Sequence, residues 1–405
     1  VTQSRSNSLN LEGLFESTSR SQVTVVSFST ALAALTDVHT NTSGNFLLAL
    51  FIPCKIKRIS FQKITGGRVG KDVAALTVHD LGCNHKEFYE FVNNEHMSQL
   101  TQRVFWIHIE VPGQGDNMPD LPFDWKFPTM QKIAEGISEL CDSLELKHVV
   151  VIGDGAGANI VARVAMARED ICLGAILIHC TGTTAGFMES LRDRVNSWKL
   201  NSIGMHPSVE NYLVLHRFGV QDPNFVQATT EAELWGAIKN FLQSLREDIN
   251  PKNLNKFIQA FMVRTNITDS IGNLKCPVLF ITGSVASFNH TVYTLYNALM
   301  NALKDQPARR ANVELLEIDG VANVMRESPD KVAESVQNFM QGLGVASGAV
   351  NRRLSSTGNV PKVRNRSASM DEYDHPVGVK NLLFDNTRRY SKATDIPGIS
   401  EVGDH

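Results

Sequence analysis

The chain contains 405 residues, of which 42% are apolar and 20% are charged, and its formal net charge is −3. This length and composition allow one large buried core or two moderate ones, as in a globular protein. A nucleic-acid-binding surface is not expected, because contacts with phosphates need a clustered basic excess. The six cysteines are scattered without C-x-x-C spacing, which favours a reducing, cytoplasmic compartment over a zinc site or a disulfide framework. No metal ion or other cofactor is expected.

Residues 1–53 are predicted to form a disordered extension, because they are rich in Ser and Thr and lack a stable hydrophobic period. The apolar run at residues 45–54 is too short for a membrane span, which needs roughly 18 unbroken apolar residues. A signal peptide is not expected either, since no compact order of basic, apolar and small residues opens the chain.

Residues 54–344 are predicted to form an α/β domain with a mostly parallel sheet and helices on both of its faces. Short apolar runs that are typical of buried strands alternate there with amphipathic stretches. In one such stretch Met130, Ile133, Ile137 and Leu140 share a helical face. The runs, in chain order, are VAALTVHDLG, RVFWIHIEVPGQG, HVVVIGDG, LGAILIHC, CPVLFITGS and NVELLEIDG.

A long helical stretch interrupts this alternation before the run CPVLFITGS. Residues 183–272 contain the sequences MESLRDRVNSWKL and EAELWGAIKNFLQSLREDI, which both look helical. An insertion at this point of a parallel sheet is predicted to cap the carboxyl ends of the strands, where ligands usually bind.

The stretch at residues 149–167, VVVIGDGAGANIVARVAMA, joins a predicted strand to a predicted helix through a turn of very small residues. Gly153, Gly155 and Ala158 satisfy the dinucleotide-binding pattern G-x-G-x-x-A. That pattern is normally followed by a carboxylate at the end of the next strand, whereas the next strand here ends in the dipeptide HC. Nucleotide binding is therefore not expected.

The nucleophile elbow of α/β-hydrolases, G-x-S-x-G, fits the same turn at every position but one. The segment Gly153, Asp154, Gly155, Ala156 and Gly157 has no side chain at its centre, where the elbow carries the nucleophilic hydroxyl. Small residues are still required, because the strand and the helix approach closely and the central residue takes an unusual φ. The turn therefore predicts the geometry of the elbow without its attacking oxygen.

The two other members of a catalytic triad are also missing from their expected positions. The acid is expected at the position of Ala286, and the histidine at the position of Ala322. The nearby hydroxyls of Ser284 and Ser287 have no visible base and are expected to be solvated loop groups. With nucleophile, acid and base all absent, covalent acyl transfer is not expected, and the sequence predicts a protein that is not an enzyme.

These motifs together resemble the N-myc downstream-regulated (NDRG) family, over roughly residues 56–344. The resemblance rests on LTVHDLGCNHKEFYEF, IHIEVPGQGDNMPDLP, VVVIGDGAGANIVARVA, LKCPVLFITGS and DKVAESVQNFMQGLG. It implies an α/β-hydrolase fold without a working triad, in a cytoplasmic adaptor-like protein of stress response, differentiation, growth control or trafficking. It also implies protein partners and peripheral association with membranes or vesicles. The chain departs from the family in residues 1–53 and at Asp154, where the family more often has an apolar residue.

Polar residues at the ends of predicted strands are candidates for a pocket. Asp80 and Asp154 would converge above the sheet, either as an acid-base pair that activates water in a divergent hydrolase, or as caps of a helix or loop amide. His79, His85 and His179 would line the same crevice. They lack the tight ligand set of a metal site, so structural or solvent-exposed roles are favoured for them.

Residues 345–405 are predicted to form a disordered tail rich in Ser, Arg and Asn. In RRLS, RNRSAS and RRYS, arginines precede serines at the spacing that basophilic Ser/Thr kinases select. Phosphorylation of such a tail is also what the resemblance implies. Each phosphate would add about −1.5 to −2 charge and weaken contacts of the basic stretch with anionic partners. The candidate sites are Ser355, Ser367, Ser369 and Ser391.

Overall fold

The computed structural model describes residues 50–51, 60–65, 73–184, 205–219 and 232–345. Most of the predicted amino-terminal extension and all but the first residue of the predicted tail therefore lie outside the described residues.

Eight strands form one sheet, in the order β1-β2-β4-β3-β5-β6-β7-β8. The last six strands in the chain run parallel to one another, and the two first ones pair antiparallel at one edge. The strands are β1 (Leu50–Phe51), β2 (Ser60–Thr65), β3 (Ala74–Val78), β4 (Phe105–Glu110), β5 (Val149–Asp154), β6 (Cys172–Ile178), β7 (Val278–Gly283) and β8 (Val313–Ile318).

The sheet begins inside the segment that the sequence predicts to be disordered. In β1, Leu50 pairs with Phe61 and Phe51 pairs with Ser60. The short apolar run at residues 45–54 thus supplies an edge strand whose backbone groups bond to β2. The predicted boundary at residue 54 is therefore too late in the chain.

Both faces of the sheet are covered. Every residue of β4 and of β5 is buried, and alternate side chains of a strand point to opposite faces, so both faces must be packed against other elements. The α/β fold class predicted from the sequence is confirmed.

The helices follow the strands in the order expected for βαβ units. None of those in the described residues is long and apolar enough to cross a membrane. They are α1 (Lys86–Val92), α2 (Ser98–Arg103), α3 (Met130–Ser143), α4 (Ala156–Ala167), α5 (Pro207–Phe218), α6 (Ala232–Glu247), α7 (Pro251–Met262), α8 (Asn289–Ala302), α9 (Pro307–Arg310), α10 (Val324–Glu327) and α11 (Pro329–Gly342).

The helix α3 shows how the sequence places a helix on the sheet. Met130, Ile133, Ile137 and Leu140 are buried, as their spacing predicts. The side chain of Thr129 accepts a hydrogen bond from a backbone N–H of the first turn and so caps the helix. Most of the stability of this helix comes from burying its apolar face, since isolated helices of this length are marginal in water.

The helices α5, α6 and α7 lie between β6 and β7 in the chain and belong to the predicted cap. His216 of α5 contacts Asp80 after β3, and Asn253 of α7 bonds to Leu121 in the loop after β4. These helices therefore lie over the carboxyl ends of the strands. The limits of the cap at residues 183 and 272 stay a prediction, because residues 185–204 and 220–231 lie outside the described part of the chain.

Candidate functional site

The turn between β5 and α4 has the strained backbone that the elbow motif predicts. Its central residue, Gly155, has φ 50° and ψ −111°, a conformation that other residues rarely adopt. A Cβ atom on Gly157 would lie 2.0 Å from the carbonyl oxygen of Val78 in β3. The helix and the strand therefore approach too closely for larger residues, which explains the small residues of the turn.

The carboxylate of Asp80 occupies the space into which a nucleophilic side chain would project. A Cβ atom on Gly155 would lie 2.2 Å from the carboxyl carbon of Asp80. The same carboxylate accepts a hydrogen bond of 2.7 Å from the backbone N–H of Ala156. In α/β-hydrolases, the residue after the nucleophile supplies this N–H to the oxyanion hole. Asp80 thus blocks the nucleophile position and binds an oxyanion-hole donor, in the way that a carboxylate caps a helix.

Two basic side chains of the cap, His216 and Arg217, face the carboxylates of Asp80 and Asp154. Nε2 of His216 lies 2.9 Å from Oδ2 of Asp80, and Nη1 of Arg217 lies 3.7 Å from Oδ2 of Asp154. Arg217 also forms an ion pair with Glu87 of α1. Sequence reasoning missed His216, Arg217 and Glu87, because a helical pattern does not indicate which strand ends a cap helix will face.

Burial and pairing set the charges of Asp80 and His216. Burial alone would raise the pKa of Asp80, but the charge and hydrogen bond of His216, together with Arg217, lower this pKa to about 2. Burial alone would lower the pKa of His216, and the charge of Asp80 outweighs it, so that the pKa of His216 is raised. The two groups therefore stabilise each other as a carboxylate and an imidazolium.

Asp154 and His179 form a second buried pair beside the first. Nδ1 of His179 lies 2.8 Å from Oδ1 of Asp154. Burial raises the pKa of Asp154, and the charge of Asp154 overcomes the effect of burial on His179 and raises the pKa of that ring. Both shifts favour retention of a proton by the pair. His179 has a φ of 47°, which is uncommon for a residue with a side chain.

The two pairs face one cavity of about 20 Å³, which has room for about one water molecule. Among the lining residues in the described part of the chain, five buried polar atoms have no hydrogen-bond partner: His179 Nε2, His216 Nδ1, Arg217 Nη1, Thr282 Oγ1 and Asn323 Nδ2. Such atoms can bind a small polar molecule. The remaining lining residues are Asp80, Asp154, Gly155, Thr181, Phe261, Ala286, Ser287, Phe288, Val292 and Ala322.

The three positions that the sequence indicates for a triad meet at this cavity. Gly155, Ala286 and Ala322 all line it, and none of them has a side chain that could react. Oε1 of Glu327 closes the loop after β8 by accepting hydrogen bonds from the backbone N–H groups of Ala322, at 3.1 Å, and Asn323, at 2.6 Å. The assignment of the three residues to triad positions stays a prediction, but their placement is consistent with it.

His79 and His85 do not line the cavity, so the prediction that they share the crevice is wrong. Nδ1 of His79 lies 2.9 Å from the carbonyl oxygen of Asp80, and Nε2 accepts a hydrogen bond of 3.2 Å from the N–H of Val111. The buried Glu110 of β4 lies 3.0 Å from Nε2 of His79 and 2.5 Å from Nδ1 of His85. Both rings lie beside this carboxylate, and the structural or solvent-exposed roles that the sequence favours for them stay a prediction.

The hydroxyls of Ser284 and Ser287 both form hydrogen bonds, and those of Ser284 are exposed, as expected for a solvated loop group. Ser284 donates a hydrogen bond to Asp319 at 3.0 Å and accepts one from the N–H of Gly320 at 2.8 Å. Ser287 donates a hydrogen bond of 2.5 Å to the carbonyl oxygen of Leu215 in α5. Ser287 therefore helps to attach the cap to the loop after β7.

Two further predictions concern metals and the tail. Within the described residues, no group of three or more His, Cys, Asp or Glu side chains is arranged to hold a metal ion. The candidate phosphorylation sites Ser355, Ser367, Ser369 and Ser391 lie outside the part of the chain that the structure describes, so they stay a prediction.

Similarity to known proteins agrees with the motifs of the site. The model of the Ndr family matches residues 59–347. A protein of Caenorhabditis elegans named uncharacterized protein ZK1073.1 is 35% identical over 325 residues, which cover 80% of this chain and 90% of the relative. Protein NDRG3 of Xenopus laevis is 27% identical over 323 residues, which cover 75% of this chain and 80% of that protein.

Solved structures show the same fold at low sequence identity. An esterase from Thermogutta terrifontis matches with a TM-score of 0.58 and 14% identity, over 75% of this chain and 100% of the esterase chain. MenH from S. aureus matches with a TM-score of 0.55 and 15% identity, over 70% of this chain and 98% of its own. These likenesses show the α/β-hydrolase fold, and the match to the family model over most of the described domain shows that the chain belongs to the Ndr family.

Proposed function

We propose that this chain is a non-catalytic, cytoplasmic member of the Ndr family that acts by binding protein partners. The placement of Asp80 carries the proposal, because its carboxylate fills the nucleophile position and binds the N–H of Ala156. A substrate carbonyl would have to displace a buried, paired carboxylate from this donor, which is strongly unfavourable. Without a free donor for the developing oxyanion, acyl transfer loses its main electrostatic support.

The proposed cellular roles are those of an adaptor in stress response, differentiation, growth control or trafficking, with peripheral association with membranes or vesicles. Membership of the Ndr family supports these roles. Capture of partners from cytosol by the full chain tests them. A set of proteins retained by this chain and not by an active esterase of the same fold is expected, and the absence of any such set would contradict the proposal.

A panel of aryl esters and haloalkanes tests the absence of catalysis. We expect no turnover above the buffer rate, with an active esterase of the same fold as the control for the assay. The variant Gly155→Ser returns a hydroxyl to the elbow, and we expect it to remain inactive because Ala286 and Ala322 supply neither the acid nor the base that would activate it. Turnover by the natural chain, or by this variant, would contradict the proposal.

The second candidate function is that of a divergent hydrolase that activates water with Asp154 or Asp80. One observation favours it: Nδ1 of His179 bonds to Asp154, and the unpartnered Nε2 belongs to a ring that lines a water-sized cavity. Asp80 is a poor base, because its pKa is lowered to about 2. Turnover that is abolished by Asp154→Asn and kept by Asp305→Asn, a change at an exposed carboxylate, would establish this function.

We also propose that basophilic Ser/Thr kinases regulate the chain through its tail. The arrangement R-x-R-x-x-S, formed by Arg364, Arg366 and Ser369, supports the proposal most strongly. Phosphopeptide mapping of the chain from stimulated cells is expected to find phosphate at Ser355 or Ser369. Ser400, which no arginine closely precedes, is the matched control. Unmodified peptides that cover residues 351–391 would contradict this proposal.

A further inference from the structure

Two cysteine thiols meet at the amino-terminal end of the sheet, opposite the cavity. Cys172 is the first residue of β6, and Cys276 lies in the segment that enters β7. Their Sγ atoms are 3.8 Å apart. Cys172 is 9% exposed, and Cys276 is half-buried, so that small molecules in solution can reach the pair from the side of Cys276.

The backbone around the two thiols allows a covalent bridge. β6 and β7 are adjacent parallel strands, and the N–H of Ala175 donates a hydrogen bond of 3.0 Å to the carbonyl oxygen of Pro277. Continued back by two residues, this register places Cys276 beside Leu173, the residue that follows Cys172. The Sγ–Sγ distance of 3.8 Å has to shorten to about 2.05 Å in a disulfide, which requires movement of the two side chains.

The other described cysteines lack this chemistry. Burial raises the pKa of Cys83, Cys141 and Cys180 to about 12, so that the reactive thiolate is scarce at each of them. The pKa of Cys172 is raised as well, by its hydrogen bond to Cys276 and by burial. Among the described cysteines, Cys276 therefore offers the accessible thiol with a sulfur partner beside it.

We propose that Cys172 and Cys276 form a disulfide when the protein meets a hydroperoxide, and that the pair is a site of reversible oxidative modification. The two residues are 104 positions apart in the chain. The bridge would close a loop that contains α5, α6 and α7, and would stabilise the fold mainly by constraining the unfolded chain.

The reaction balances with the hydroperoxide as the only oxidant. The thiolate of Cys276 attacks the terminal oxygen, and an S–O bond forms as the O–O bond breaks. The leaving group is an alkoxide from an organic hydroperoxide or hydroxide from hydrogen peroxide, and the proton released by Cys276 converts it to an alcohol or to water. The sulfur of Cys172 then attacks the sulfenic sulfur of Cys276. The S–S bond forms as the S–O bond breaks, and the departing hydroxide takes the proton of Cys172 as water. Two thiols lose two electrons in total, and the hydroperoxide gains them.

Peptide mapping of the full chain tests the proposal. The reduced protein is treated with hydrogen peroxide, its remaining thiols are alkylated, and trypsin digestion follows without reductant. Cleavage after Arg168, Arg192, Lys275 and Lys304 places Cys172 in residues 169–192 and Cys276 in residues 276–304. We expect these two peptides to be joined after treatment and separated by dithiothreitol.

Three variants identify the bridge. Cys180→Ala removes the other cysteine of the first peptide and is expected to keep the joined species. Cys276→Ser is expected to abolish it, and Cys172→Ala is expected to abolish it while Cys276 accumulates as a sulfenic acid that dimedone traps. Oxidation of Cys276 to a sulfinic acid in the natural chain without a joined peptide would overturn the proposal. So would a joined peptide that Cys180→Ala removes, or thiols that stay unmodified in peroxide.

Discussion

Gly155 and Asp80 depend on each other sterically. The carboxylate of Asp80 can reach the N–H of Ala156 only because Gly155 carries no Cβ atom, which would lie 2.2 Å from it. Gly155 in turn has a φ of 50°, and a residue with a side chain would be strained in this backbone conformation. The loss of the nucleophile and the gain of a buried helix cap are therefore one structural change rather than two.

The variant Gly155→Ala tests this dependence. The added Cβ must push away a buried carboxylate, and the alanine must adopt a strained φ. We therefore expect the free energy of unfolding to fall by about 2–4 kcal/mol. Urea denaturation followed by circular dichroism measures it. Gly236→Ala is the matched control, because a Cβ at that position of α6 meets nothing within 4 Å. We expect the control to gain up to about 1 kcal/mol from helix propensity, and equal effects of the two variants would refute the steric argument.

The sequence predicts part of this site because the ends of the predicted strands can be located from their apolar runs. Asp80, Asp154 and His179 follow the apolar runs of β3, β5 and β6, and parallel strands bring such ends to one edge. The rule gives the position of a residue but not the direction of its side chain. The rule therefore places His79 in the crevice, whereas its ring lies beside Glu110.

The cap is attached to the sheet by buried polar contacts as well as by apolar packing. Asn253 of α7 is fully buried, with 0% exposure. Its amide donates hydrogen bonds to the carbonyl oxygens of Gly113, at 3.2 Å, and Pro119, at 2.9 Å, and accepts one of 2.9 Å from the N–H of Leu121. One side chain of the cap thus fixes much of the loop that follows β4.

The variant Asn253→Ala tests how far α7 holds this loop. It leaves the buried N–H of Leu121 without its partner, and we expect a loss of about 2–4 kcal/mol in the free energy of unfolding. Limited proteolysis should cut residues 112–128 faster in the variant. Lys252→Ala, which removes only the exposed ion pair with Asp120, serves as the control and should change little. Similar rates of cleavage in both variants would show that packing alone holds the loop.

The hydrophobic period predicts the sheet and the presence of a cap, but not the contacts that the cap makes. The buried residues of β4, β5 and α3 are those that the local order of apolar residues predicts. Contacts such as that of His216 with Asp80 join residues 136 positions apart. They depend on how α5 is oriented over the sheet, and a single sequence contains no period that reports this orientation.

At the scale of the molecule, several charged groups of the described residues lie where the cap meets the sheet. Asp80, Asp154, His179, His216 and Arg217 are all buried or nearly so, although charged groups rarely leave water. Each is tolerated because an opposite charge lies beside it, so the stability of the folded chain depends on which of these groups hold protons.

The stability of the protein should therefore fall as the pH rises above neutrality. His216 and His179 have pKa values raised above 6.5 in the folded chain. Their stabilisation is fully present below pH 6.5 and is lost as the pH rises through the folded pKa values, while Asp80, whose pKa is lowered, stays ionised. Urea denaturation between pH 6.5 and 9 should give a smaller decline for His216→Gln than for the natural chain. His290→Gln, at an exposed ring of α8, should follow the natural chain. Parallel curves for all three proteins would mean that the Asp80–His216 pair does not couple the cap to pH.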